Sequence, residues 1–143
     1  MQLTFEHEAL ALKQERSLVY TAMSKHYFYY RMHISRFVLE QSKVPLNPFM
    51  LFDYFLLDTL ERNVVREANN SLLKRADELW VFGPISNGVL AEIQIAQTTH
   101  KPIHYFKIEK SQAIIPIDKT SIEMEAEVQN YQSYLINGDR GKS

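Results

Sequence analysis

Three features of the chain predict an α/β fold: a single Rossmann-like or flavodoxin-like domain whose mostly parallel sheet of four to five strands is flanked by helices. Residues 79–83, Leu-Trp-Val-Phe-Gly, form a short, uniformly apolar run ended by glycine, the pattern of a strand covered on both faces of a parallel sheet. A helical pattern from Val89 to His100 and a second strand pattern from Pro102 to Phe106 follow it, and a strand, helix and strand of this length make a right-handed crossover. The 143 residues suit one domain, with 45% hydrophobic and 23% charged residues arguing for a packed core rather than disorder.

Taken in order, residues 1–16 are polar around Leu10, Ala11 and Leu12 and read as an N-terminal extension with a short helix. Ser17 to Met23 is β-branched and aromatic, the expected first buried strand. Ser24 then stands where its side chain can cap a helix running to about Gln41, with Ile34, Phe37 and Val38 at its apolar centre. Pro45 and Pro48 exclude a central ladder position for residues 44–49, leaving an edge strand or an extended loop. Met50 to Arg75 is helical in pattern, in one or two pieces, with Leu56, Leu60, Val64, Ala68 and Leu72 as its stripe. After the 79–106 unit, residues 114–117 read as a short edge element. Thr120 to Leu135 reads as a final helix opened by a capping box of Thr120 and Glu123, and residues 136–143 as a frayed tail.

Composition narrows the function. Sixteen basic and 17 acidic residues give a net charge of −1, so no basic footprint for a nucleic-acid polymer or an anionic membrane is present. The absence of cysteine excludes disulfides, thiolate nucleophiles and cysteine metal sites, and fits a reducing cytoplasm. The first residues lack the pattern of a signal peptide, and the apolar run from Phe49 to Leu57 is too short to span a bilayer. His26 and His33, like His100 and His104, lack the acidic partners and spacing of a metal site, and no cofactor is expected.

In parallel α/β sheets, ligands bind beyond the carboxyl ends of strands, where loops enter helices. The loop after residue 83 offers Ser86, Asn87 and Gly88, a hydroxyl, an amide and backbone N–H groups at a helix start, which suits a phosphate or carboxylate. Ser86 can equally be an ordinary N-cap. Glu92 lies in the first turns of that helix, about 60° from the direction of Val89, Ile93 and Ala96 at about 100° per residue. There, burial raises a carboxyl pKa while the helix start lowers it, and glutamate near a helix start also serves simply to complement the dipole. The basic and aromatic run Lys25 to Arg31 can stack a base or pack against a core or a subunit.

The run Asp77-Glu-Leu-Trp-Val-Phe-Gly83, the segment Ser86-Asn-Gly-Val-Leu-Ala-Glu92-Ile, Ala96 and Lys101-Pro-Ile103 together resemble the nucleoside 2-deoxyribosyltransferase-like superfamily. Its members exchange bases on deoxyribose or cleave the N-glycosidic bonds of deoxynucleoside monophosphates. The resemblance implies that Glu92 is a nucleophile. It also implies that Ser86, where the transferases carry aspartate, helps hold a 5′-phosphate as in the monophosphate N-glycosidases. Tyr20 and Ser24 resemble the tyrosine and phosphate-binding serine of those hydrolases. The glycine-rich first loop with an arginine that those hydrolases carry is replaced by Met23-Ser24-Lys25-His26, so Lys25 or His26 would supply the positive charge. Asp77 or Asp58 is the candidate acid for the leaving base, and Asp77 can instead cap the preceding helical region. The expected partners are a small nucleoside or nucleotide and further copies of the chain, with the final helix and the 12% aromatic content suited to a homo-oligomer contact. The alternative is a module that binds a nucleotide or nucleotide sugar without turnover.

Overall fold

The computed structural model describes residues 4–110 and 112–137. The element order is α1 (Glu8–Ala11), β1 (Leu18–Met23), α2 (Arg31–Glu40), β2 (Val44–Leu46), α3 (Pro48–Leu51), α4 (Tyr54–Leu57), α5 (Arg62–Arg75), β3 (Glu78–Phe82), α6 (Asn87–Thr98), β4 (Ile103–Ile108), β5 (Ile114–Ile117) and α7 (Gln132–Asn137). Three 3-10 segments, Lys25–Tyr30, Lys119–Ser121 and Ala126–Tyr131, complete it.

Five strands form one sheet in the order β2-β1-β3-β4-β5, parallel except for β5. The reason lies in the residues: β1 and β3 at the centre are almost wholly buried and apolar, whereas Pro45 and Pro116 fall on the two outer strands, where no ladder donor is lost. Helix α2 covers one face, packing Ile34 and Val38 on Val19, Met23, Trp80, Phe82 and Phe106. Helices α5 and α6 cover the other, burying Leu73, Val89, Ile93 and Ala96 against Tyr20, Ala22, Leu79 and Val81. The chain therefore leaves β1 toward one face and β3 toward the other, which opens a crevice between their carboxyl ends. The expected α/β class, central strands and crossover unit are all present.

Three expectations need correction. The helical region expected over residues 50–75 is instead α3, which begins at Pro48, followed by α4 and α5; Asp53, with φ of 62°, breaks the helix between α3 and α4. The apolar stripe there fails at its start: Leu56, Leu60 and Val64 are exposed, and Leu73, not Leu72, is fully buried. Residues 120–135 are not one helix opened by Thr120. Asp118 caps a 3-10 turn by accepting from the Thr120 N–H at 3.0 Å, and the chain then extends, because Ile122 and Met124 alternate into the core. Met124 pairs with Ile85 in a parallel bridge. The expected tail begins inside α7, and residues 138–143 lie outside the described residues, as do 1–3 of the N-terminal extension. Helix α1 within that extension is exposed throughout.

Candidate functional site

The site grows from the two central strands. Tyr20 is fully buried on the α6 face of β1, and its Oη donates to Glu92 Oε2 across that face. Glu92 sits on α6 beside Ile93, which is buried in the core, so its carboxyl is stripped of water while the residue keeps some exposure at the helix margin. Burial pushes the Glu92 pKa up to about 7, against the opposing effect of the Tyr20 hydrogen bond. The sequence left that direction open; burial decides it. The Tyr20 hydroxyl is itself raised well above its usual value by burial and by Glu92. A carboxyl poised near neutrality with one donor fixing its orientation is suited to act as base, acid or nucleophile.

At the crevice mouth, Ser24 ends β1 as a buried side chain, accepting from the His26 N–H at 3.3 Å and lying 3.2 Å from His26 Nδ1. Lys25 next to it is exposed. Gly83 ends β3 with φ of 77°, and a Cβ there would come within 2.7 Å of the Tyr27 ring. Glycine is thus needed twice over, for the backbone and for the ring laid on it. Ser86 caps α6, its Oγ accepting from the Val89 N–H at 3.3 Å. The Asn87 N–H donates to Glu127 Oε1 at 3.2 Å, and Gly88 opens on space, with nothing within 4 Å of where a Cβ would stand.

The predicted site residues are therefore divided. Tyr20 and Glu92 are in contact; Ser24, Lys25, Ser86, Asn87 and Gly88 lie beyond the carboxyl ends of β1 and β3, where the chain enters the 3-10 segment and α6. Asp77 is not brought to them. It precedes β3 at the opposite end of the sheet, where its Oδ2 accepts from the Leu18 N–H at 2.8 Å and its own N–H donates to Leu18 O at 2.7 Å. The length of β3, five residues at about 3.3 Å each, separates it from the loop. Asp58 is exposed at the end of α4.

Sequence reasoning missed two groups. The first is Glu125 and Glu127, at the end of the extended stretch after Ile122 and in the 3-10 segment that follows it: Glu125 Oε2 lies 3.3 Å from His26 Nδ1, and Glu127 meets Asn87. The alternation of Ile122, Met124 and the acids at 123, 125 and 127 was the available signal, masked by the capping-box pattern. The second is Asn69, on α5. Its Oδ1 is buried without a hydrogen-bond partner among the described residues. Lys101, three residues past the end of α6, ties that end to the end of α5 by donating from Nζ to Lys74 O and Ala76 O. Counting six residues back from Arg75 and from Thr98, about 9 Å in each helix, places Asn69 and Glu92 at similar heights.

A cleft of about 500 Å³ lined by His26, Tyr27, Tyr29, Tyr30, His33 and Gln112 adjoins the first loop. A larger one of about 950 Å³ runs along β4 and β5 and takes in Trp80 and His104 but none of the predicted site residues. It belongs to the far end of the strands, where Lys43, Trp80 and His104 surround Glu78. Burial acts to raise the Glu78 pKa, but these three groups outweigh it and hold the carboxyl below its usual value. Among the described residues, no group of three or more histidine and acidic side chains is placed to hold a metal ion, and no helix is long and apolar enough to cross a membrane.

This is an α/β domain of the flavodoxin-like strand order, with a buried tyrosine–glutamate pair between β1 and α6. More particularly, the chain belongs to the family described as a domain of unknown function, DUF7768, whose model matches residues 19–106, the span from β1 to β4. No curated protein matches it. Among solved structures it is similar to a 2-desoxiribosyltransferase from Leishmania mexicana, with 13% sequence identity and a TM-score of 0.52 over 84% of this chain and 97% of that one. The likeness is one of fold, and it agrees with the fold of the superfamily that the sequence resembles.

Proposed function

We propose that this protein cleaves or transfers the N-glycosidic bond of a nucleoside or its 5′-monophosphate, with Glu92 as nucleophile. The single observation that carries the reading is the buried contact of Tyr20 with Glu92 between β1 and α6; the fold shared with a 2-desoxiribosyltransferase supports it. In this reaction an ionised Glu92 oxygen bonds the anomeric carbon as the carbon–nitrogen bond breaks, and that electron pair leaves with the base. The resulting glycosyl ester is resolved by water or by a second base. Tyr20 holds the carboxylate in one orientation. Asn69, with its free amide oxygen, is a candidate to accept a hydrogen bond from substrate, and Ser24, Lys25, Ser86, Asn87 and Gly88 border the sugar. Asp77 has no part in this reading, given its position.

The test is release of free base from a panel of nucleosides and 5′-monophosphates, with Glu92→Ala as control. Expected is measurable release by the wild type, a fall of about a thousandfold or more in the variant, and loss of rate as pH drops through about 7, where Glu92 gains its proton. Release unchanged by Glu92→Ala removes that residue as nucleophile.

A second reading, ligand binding without turnover, is favoured by Tyr27 lying against Gly83 at the mouth. Binding of the same panel with no base released selects it. Self-association is supported by the exposed Phe55, Leu56 and Val64 around α4 and the start of α5, and sedimentation measures it directly.

A further inference from the structure

The start of α6 is where a phosphorylated ligand would be expected to find unpaired backbone donors and the positive end of the helix dipole. In this protein two of its first three N–H groups, those of Asn87 and Val89, are taken. The Asn87 N–H donates to Glu127 Oε1 at 3.2 Å, and the Val89 N–H is used by the Ser86 hydroxyl. The carboxylate is delivered by the first turn of the 3-10 segment Ala126–Tyr131, and the extended stretch before it is fixed to the same loop by two main-chain bonds: Ile85 N–H to Glu123 O at 2.9 Å and Glu125 N–H to Ile85 O at 2.8 Å. Ile122, Met124 and Val128 anchor it in the core. The same segment places Glu125 against His26, 3.3 Å away, so the histidine beside Ser24 faces a carboxylate as well. Glu123 and Glu125 are close enough to Tyr27 to help raise its hydroxyl, after the larger effect of burial.

We infer that Glu127, carried over the crevice by the 122–128 segment, is a specificity-determining residue that excludes a 5′-phosphate and selects an unphosphorylated nucleoside. An incoming phosphate finds the Asn87 and Val89 N–H groups already paired and meets a like charge beside Asn87. A hydroxyl on the same carbon instead meets a carboxylate with a second oxygen able to accept from it. Glu127 and Glu92 are held by one helix, the former through Asn87 five residues before the latter, about 7.5 Å along the axis. One rigid element thus sets the distance between the group that tests the 5′ position and the group beneath the anomeric carbon. The exclusion reverses the preference implied by Ser86, whose hydroxyl is committed to capping.

The substrate assignment rests on the glycosidic reading; the closure of the anion position does not, and the experiment separates them. In the first arm, inorganic phosphate is titrated into ¹⁵N-labelled wild type, Glu127→Gln and Glu127→Ala while the Asn87 amide resonance is followed. The wild-type resonance is expected to stay in place at phosphate concentrations that shift it in Glu127→Ala. Equal shifts in wild type and Glu127→Ala, or a shift in neither, overturn the proposal. Glu127→Gln keeps the hydrogen-bond acceptor and removes the charge, so its resonance is expected to fall between the two. In the second arm, kcat/KM for base release is compared between a nucleoside and its 5′-monophosphate. Wild type is expected to favour the nucleoside, and the preference to fall at least about fivefold in Glu127→Ala while nucleoside turnover persists. An unchanged ratio, or a wild-type preference for the monophosphate, overturns the assignment of Glu127. No release by wild type from either substrate sinks the glycosidic reading alone and leaves the amide titration to decide whether the carboxylate closes the site.

Discussion

The two faces of the sheet are built from alternate residues of the same strands, yet they are different interiors. On the α2 face, Phe82 and Phe106 stack at 5.0 Å between ring centres, Phe37 meets Phe106 edge-on at 5.3 Å, and Val19, Met23, Ile34 and Val38 fill around them. On the α5–α6 face, one residue further along β1, Tyr20 points a hydroxyl into a mostly aliphatic layer to reach Glu92. The first face is arranged for packing. The second gives up some of that to hold a carboxyl where water cannot satisfy it, the pattern expected of a site whose function opposes its stability.

The comparison is broken most forcefully at Phe82. It is fully buried and stacked, so Phe82→Ala removes ring contacts and leaves a cavity; a loss of about 3–5 kcal/mol is expected. Because the ring partners of the stacked pair are Phe37 and Trp80, neither of which titrates, urea denaturation at pH 5 and at pH 8 is expected to give the same loss. A strongly pH-dependent loss would mean that the two faces are not independent.

The opposite behaviour is expected of Glu92→Gln. The folded-state pKa of about 7 stands above the ordinary 4.5, so the folded protein holds this proton more tightly than the unfolded chain. Below pH 4.5 both states are protonated and the burial of Glu92 carries no charge penalty. As pH rises toward 7 the unfolded chain ionises first, and the wild type loses stability that reaches about 3 kcal/mol above pH 7. The amide of Glu92→Gln has no charge to desolvate and can still accept from Tyr20. It is expected to match wild type at pH 4 and exceed it by up to about 3 kcal/mol at pH 8, with base release abolished. Equal stability at both pH values would mean that Glu92 is better solvated than its position implies.

The difference between the faces also explains what could be read in advance. Continuous apolar runs such as 18–23 and 79–82 declare strands buried on both sides whatever the rest of the chain does, and the spacing of Val89, Ile93 and Ala96 fixes which side of α6 meets the sheet. Glu92 followed from that same spacing. The pKa direction did not, because it depends on which atoms of β1 lie opposite. Nor did the true course of residues 119–131: Thr120 and Glu123 satisfy a local capping pattern, but burying Ile122 and Met124 in the core stabilises an extended backbone more than one capped turn can stabilise a helix. Leu56, Leu60 and Val64 misled for the related reason that periodicity shows a stripe without showing whether anything lies against it. Glu127 and Asn87, 40 positions apart, meet only through that misread segment.

Asp77 is the smallest break and the cleanest test of the division between the two ends of the strands. Sequence alone allowed it to be either an acid for the leaving base or a cap, and its carboxylate accepts from the Leu18 N–H at the amino-terminal edge of the sheet, remote from the crevice. The contact is exposed, so water can take over the donor when the side chain is shortened, and Asp77→Ala is expected to cost about 1 kcal/mol. Base release, corrected for the folded fraction, is expected to stay within about twofold of wild type, against the hundredfold or greater fall typical of a lost general acid. A fall of that size without a matching loss of stability would require Asp77 to reach the substrate, and with it a crevice placed at the other end of these strands.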